Sequence, residues 1–176
     1  SDAARVSVYL QVPTSVQFDN DGYEVTEGEC SDFRFFVEDQ TGRPIAGANV
    51  DIHAQGPTDQ LRFATNDSEN PVIPSNDDYQ APDKGHTSTE RALRCSDERN
   101  AAESQGDHNV IGGSDRKHVE SLNGTNNDGS FTFTLFSGVK GGTVATVWVD
   151  GDDDDNQSTS ETAGFGRIGW GDDPPP

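Results

Sequence analysis

The chain has 176 residues, with 32 acidic against 12 basic side chains and a formal net charge of -20. A field of that sign repels phosphate backbones and anionic lipid, so binding to nucleic acid or to a membrane surface is not expected. Only 30% of residues are hydrophobic, and they gather in short clusters, enough for a thin core with much of the chain in polar loops.

In chain order, Val6, Val8, Leu10 and Val12 alternate with Ser7, Tyr9 and Gln11, which predicts a half-buried strand. Asp19-Asn20-Asp21-Gly22 has the look of the middle of a calcium loop. With Gly22 at position six, however, position one falls on Gln17 and position twelve on Gly28, so an Asx-type turn between strands is expected. Phe33, Phe35 and Val37 alternate with Asp32, Arg34, Phe36 and Glu38, and Val50, Ile52 and Ala54 alternate with Asp51 and His53. Between these two strands, Asp39-Gln40-Thr41-Gly42-Arg43-Pro44 carries turn chemistry. From Asn66 to about Asn123 alternation almost disappears, and little strand is expected there. Asn127-Asp128-Gly129 is a tight-turn signal ahead of a strand at Phe131, Phe133 and Leu135. Gly141-Gly142 marks a reversal, and Thr143 to Val149 is β-branched almost throughout, with Trp148 inside it. A last strand covers the surroundings of Phe165 and Ile168. No window has a helical period beyond a weak one at Thr89 to Arg94. Short strands at this spacing, with turn residues between them, predict an all-β antiparallel sandwich with a long irregular insertion.

Phe35 to Val50, with its strand, its Thr-Gly-Arg-Pro turn and its second strand, resembles the signature of bacterial Ig-like domains of the invasin and intimin type. A later pattern agrees: Thr125, Asp128-Gly129, the strand Phe131 to Leu135, Gly141-Gly142 and the valine-rich Val144 to Val149. The resemblance spans about half of the chain, at its two ends, and departs in the middle. It implies a surface-exposed Ig-like sandwich used as a spacer or adhesion module. The expected organisation is one sandwich over 1–173, an insertion loop at about 66–123, and the start of a proline-rich linker at 174–176. With Ser at position one and no signal peptide, the chain reads as a mature or excised piece of a longer protein. No apolar run approaches the ~18 residues needed to span a bilayer, so membrane insertion is not expected.

Cys30 and Cys95 can pair in only one way. A disulfide between them would tether the long loop to a core strand and imply an oxidising, secreted or cell-surface setting. The alternative is two unrelated buried thiols. His86, His108 and His118, with Asp83, Asp107, Asp115 and Glu120 nearby, are a second possible donor set, for a transition metal. Their spacing matches no metal signature, and local hydrogen bonding explains such histidines as well.

The most specific pattern is Asp150-Gly151-Asp152-Asp153-Asp154-Asp155-Asn156-Gln157-Ser158-Thr159-Ser160-Glu161. With Asp150 as position one, oxygen-bearing residues fall at one, three, five, seven, nine and twelve, the spacing by which a loop wraps calcium. Asp150, Asp152, Asp154, Asn156, Ser158 and Glu161 are the expected ligands, with Asn156 acting through its carbonyl. Asp153 and Asp155 fall between ligand positions and should face solvent. Position six is Asp155 rather than the usual Gly, and the competing reading is a solvated acidic loop. No nucleophile elbow, HExxH motif or phosphate-cradling loop is present, so no enzymatic activity is expected.

Two functional readings follow. The first is a secreted or cell-surface Ig-like module, structural, spacing or adhesive in role and stabilised by calcium. Its partners would be other domains of a longer surface protein, with a glycan or protein ligand also possible. The second is a carbohydrate-binding accessory module of a secreted polysaccharide-active enzyme, which needs an exposed aromatic platform from Trp148, Trp170 and Tyr79. A third reading of the acidity, adaptation to high salt, involves no specific ion.

Overall fold

Phe33, Phe35 and Val37 are wholly buried, while Asp32, Arg34, Phe36 and Glu38 between them remain partly exposed, so alternation along this strand sets its inward face. The computed structural model describes residues 9–19, 21–28, 30–56, 61–65, 79–80, 93–94, 116–121, 124–154 and 156–171. Within them the chain forms β1 (Pro13–Phe18), β2 (Tyr23–Val25), β3 (Cys30–Asp39), β4 (Val50–Gln55), β5 (Leu61–Thr65), β6 (Tyr79–Gln80), β7 (Leu93–Arg94), β8 (Arg116–Ser121), β9 (Ser130–Ser137), β10 (Gly141–Val149) and β11 (Ala163–Trp170). The strands make two sheets, in the orders β1-β3-β9-β5-β7 and β2-β11-β10-β4-β8-β6, with no helix among the described residues. Pairing is antiparallel except for β2 with β11 and β5 with β7. The fold is an all-β sandwich, as expected.

The core between the sheets is rich in phenylalanine. Phe33 lies opposite Phe133 in the β3–β9 register and stacks on it at 5.4 Å with an 8° interplanar angle. Phe35 opposes Phe131 at 5.7 Å, and Phe63 of β5 packs on Phe133 at 5.8 Å. From the facing sheet come Val50, Ile52, Ala54, Ala145, Val147, Ile168 and Trp170, all wholly buried. Trp170 Nε1 donates to Thr143 Oγ1 at 2.8 Å, and that hydroxyl donates to the Gly56 carbonyl, so the buried indole is satisfied.

Several expectations are corrected. Of the strand predicted at 6–12, residues 9–12 lie outside any strand and 1–8 fall outside the described residues. Gln40 is the reason: its side chain accepts from the Val12 N–H and donates to the Leu10 carbonyl, taking the place of a ladder. Leu10 and Val12 are consequently 73% and 48% exposed. In the segment 66–123, where little strand is expected, the described residues are the two-residue β6 and β7 and the six-residue β8, which pairs with β4. The weak helical period at 89–94 ends instead in a strand pair at Leu93–Arg94. Trp148 and Trp170 are 4% and 0% exposed and form no platform. Asp21 and Gly22 lie in the expected turn between β1 and β2, and the Asp21 carboxylate takes the backbone N–H, Nε and Nη2 of Arg167, which hold it below the usual carboxylate range despite the opposing effect of burial.

Two junctions fix the sandwich edges. Asp39 Oδ1 accepts from the N–H of Thr41, the N–H of Arg43 and the Thr41 hydroxyl, while Oδ2 accepts from the Tyr9 hydroxyl. Burial acts to raise this carboxyl, but the donors from Arg43, Thr41 and Tyr9 outweigh it and hold it far below its ordinary value. A group depressed in this way adds stability that is complete above its unfolded pKa of about 3.9 and is lost as pH falls toward the folded value. Asp39→Asn is therefore expected to lower the melting temperature at pH 7, with the gap to the parent chain shrinking below about pH 4. A thermal melt series against pH checks this.

The second junction joins the sheets where β1 runs along β11. Thr162 Oγ1 donates to the Pro13 carbonyl at 2.8 Å, and a Cβ at Gly164 would clash with the backbone oxygen of Val16. Gly164→Ala is expected to cost about 1–3 kcal/mol in denaturant melts. Gly151→Ala, where a Cβ meets nothing within 4 Å, should be close to neutral.

Candidate metal site in the β10–β11 loop

The loop is pinned at its base by strand hydrogen bonds. The Val149 N–H donates to the Thr162 carbonyl, and the Asp150 N–H donates to the Asn49 carbonyl at the entry to β4. Asp150 is thereby held at the end of β10, 3% exposed, in a loop that is otherwise mostly open to water. Its Oδ1 accepts from the N–H of Asp153 at 2.7 Å and of Asp154 at 3.3 Å, curling the next residues around it. The curl needs a left-handed residue, which is Asp153 at φ 58°, the only non-glycine with positive φ among the described residues. The left-handed position is thus the fourth of the loop, two before the one expected from calcium-loop spacing. Asp155, at that expected position, lies outside the described residues.

This curl brings the carboxylates together. One oxygen from each of Asp150, Asp152 and Asp154 lies within 4.8 Å of the others. Two ligands across a calcium ion at about 2.4 Å each stand about 4.8 Å apart, so the cluster has the dimensions of such a shell. Glu161 closes the loop: its Oε1 accepts from the Gly151 N–H at 3.3 Å and its Oε2 from the Ser158 N–H at 2.7 Å. Asn156 and Ser158 are held in turns, Asn156 by its N–H to Asp154 Oδ1 and Ser158 by its hydroxyl against that of Ser160. Asp153 is exposed, as expected, and accepts from Asn49 Nδ2 at 3.3 Å. Sequence spacing gave no sign of Asn49, because it reaches the loop from the entry to β4, far away in sequence.

Asp152 records the crowding. Its carboxyl is raised above the usual range, first by the charge of Asp154, then by burial, by Glu161 and by its contact with Asp150. All four expected carboxylate ligands therefore share one field.

The other expected sites stand differently. Cys95, His86 and His108 lie outside the described residues, and so does the Cys30–Cys95 bond. The structure places His118 in β8 of the second sheet, directly opposite His53.

No protein-family model matches the chain, and no curated protein does. Among solved structures it is similar to domains 4 and 5 of the S-layer protein SbsC, at 13% identity and TM-score 0.43, over 92% of this chain and 46% of that one. Domains 1–6 of SbsC give 14% identity and TM-score 0.44, over 94% and 14%. A beta-glycosidase from Bacteroides vulgatus gives 17% identity and TM-score 0.41, over 88% and 14%. The chain thus spans less than half the length of each, and at TM-scores below 0.5 its function is read from its own residues. No helix among the described residues is long and apolar enough to cross a membrane.

A carboxyl raised in the folded state penalises folding at neutral pH, and the penalty disappears as pH falls to the unfolded value near 3.9. In chelator, Asp152→Asn is therefore expected to raise the melting temperature at pH 7, with the gain fading by about pH 4. Melts of both chains across that range check this.

Proposed function

We propose that the chain is an Ig-like β-sandwich module of a longer secreted or cell-surface protein, in which calcium held by the β10–β11 loop rigidifies one end. The observation that carries this reading is the convergence of Asp150, Asp152 and Asp154 around a buried first position, with Glu161 closing the loop. The donors are all oxygen, which suits a hard cation of calcium size better than zinc. Asp150, Asp152, Asp154 and Glu161 would supply carboxylates, and Asn156 and Ser158 would complete the shell through the carbonyl and the hydroxyl or a water. Because Asp150 follows β10 and Glu161 lies two residues before β11, an ion here would lock the ends of two paired strands. That is a mechanical role, suited to a spacer or adhesion module whose partners are neighbouring domains of the same surface protein. The invasin- and intimin-like patterns at Phe35 to Val50 and Thr125 to Val149 point the same way. The proposed Cys30–Cys95 disulfide belongs to this reading, and alkylation without reductant followed by mass spectrometry should find no free thiol. Both tryptophans are buried, so the carbohydrate-platform reading gains no support from them.

Metal analysis of the purified chain, followed by melts at fixed ionic strength, tests the calcium reading. At calcium a hundredfold above Kd, mass action adds about 2.7 kcal/mol to stability. Asp152→Ala and Glu161→Ala should weaken calcium binding far more than Asp153→Ala. A melting temperature that follows sodium chloride and ignores both micromolar calcium and chelator would return the loop to solvated charge.

A further inference from the structure

We propose that Asn156 on the β10–β11 loop, in preference to Asn123, is the acceptor of an N-linked glycan. An acceptor of this kind is Asn, then any residue but Pro, then Ser or Thr, presented on a surface loop of a secreted protein. The chain contains the motif three times, at Asn66-Asp67-Ser68, Asn123-Gly124-Thr125 and Asn156-Gln157-Ser158. The assignment rests on the secreted or cell-surface reading, and it is independent of calcium.

Tertiary structure ranks two of the motifs. Because the third residue must be Ser or Thr, the transferring enzyme reads the hydroxyl there. In Asn123-Gly124-Thr125 that hydroxyl is committed to the fold: Thr125 is 4% exposed, and its Oγ1 donates to the Ile45 carbonyl and accepts from the Ala48 N–H. Folding therefore closes this motif to an enzyme. Asn156, Gln157 and Ser158 are exposed at all three positions, and the Ser158 hydroxyl meets the equally exposed hydroxyl of Ser160 at 2.8 Å. An enzyme group can replace that contact without opening the sandwich. Asn123 and the Asn66 motif lie outside the described residues.

The local structure accommodates the modification. Asn156 Nδ2 donates to the Asp154 carbonyl at 2.8 Å, and the Asn156 N–H donates to Asp154 Oδ1 at 2.8 Å. In the transfer, Nδ2 forms a bond to C1 of the first sugar of a polyprenyl-phosphate-linked oligosaccharide. The bond from C1 to the phosphate oxygen breaks, the lipid phosphate leaves with its electron pair, and Nδ2 gives up one proton to a base of the enzyme. A carboxamide nitrogen carries two N–H groups, so the product amide keeps one for the Asp154 carbonyl. The main-chain carbonyl of Asn156, its expected calcium ligand, takes no part, so glycan and ion are compatible in one loop.

The test takes the protein from the cells that produce it. Trypsin cuts after Lys140 and Arg167 and releases a peptide in which Asn156 is the one asparagine. Mass spectrometry is expected to find this peptide enlarged by an oligosaccharide on Asn156, with lower occupancy at Asn123. Asn156→Gln and Ser158→Ala, made in the same cells, should each return the peptide to its unmodified mass, and Ser158→Thr should keep the sugar. A bare Asn156, sugar retained in Asn156→Gln, or occupancy at Asn123 equal to that at Asn156 would overturn the assignment. Cell fractionation tests the location separately, so a secreted chain with a bare Asn156 overturns this assignment and leaves the secreted reading standing.

Discussion

Phe33 lies flat on Phe133 across the β3–β9 ladder, and Phe18, Phe35 and Phe63 pack around that pair. A chain that is only 30% hydrophobic and carries a net charge of -20 folds because its few large apolar residues are concentrated here. The strands that supply them come from both ends of the chain, so closing the core joins the two halves of the sequence. The candidate ion position on the β10–β11 loop hangs from the facing sheet, which this core holds in place.

The charge is managed residue by residue. Asp21 is held by Arg167, Asp39 by the Thr41, Arg43 and Tyr9 donors, and Asp128 by the hydroxyl and N–H of Ser130, and each carboxyl is lowered. In each case the donors come from a turn or a neighbouring strand already fixed by the fold, so the negative charge strengthens local structure. Asp152 is the opposite case. Its neighbours are Asp154, Glu161 and Asp150, and its carboxyl is raised. Like charges gathered by a backbone curl are a cost unless a cation offsets them. That contrast distinguishes the β10–β11 loop from the turns at Asp21, Asp39 and Asp128.

Strands β3, β4, β9, β10 and β11 were legible because each alternates over enough residues to show which face is buried. β1, β5 and β8 were not. β1 opens with Pro13 and buries only Val16 fully, β5 shows alternation only at Leu61 and Phe63, and β8 has Val119 as its one aliphatic residue. Such strands exist because a neighbouring strand supplies the hydrogen bonds and the register, which a local pattern does not record. Conversely, Leu10 and Val12 alternate convincingly and form no strand, because Gln40 occupies their backbone groups.

The candidate sites divide along the same line. The acidic loop was legible from local spacing, because Asp150, Asp152, Asp154 and Glu161 along one continuous segment already constrain how their oxygens meet. So were the turns at Gly42 and Gly129, where local chemistry and a positive φ act over a few residues. Packing across the whole fold is what lets Asn49 brace the loop and what sets His118 against His53. Those outcomes depend on strand register between segments distant in sequence, and register is settled by the packing of the whole sheet.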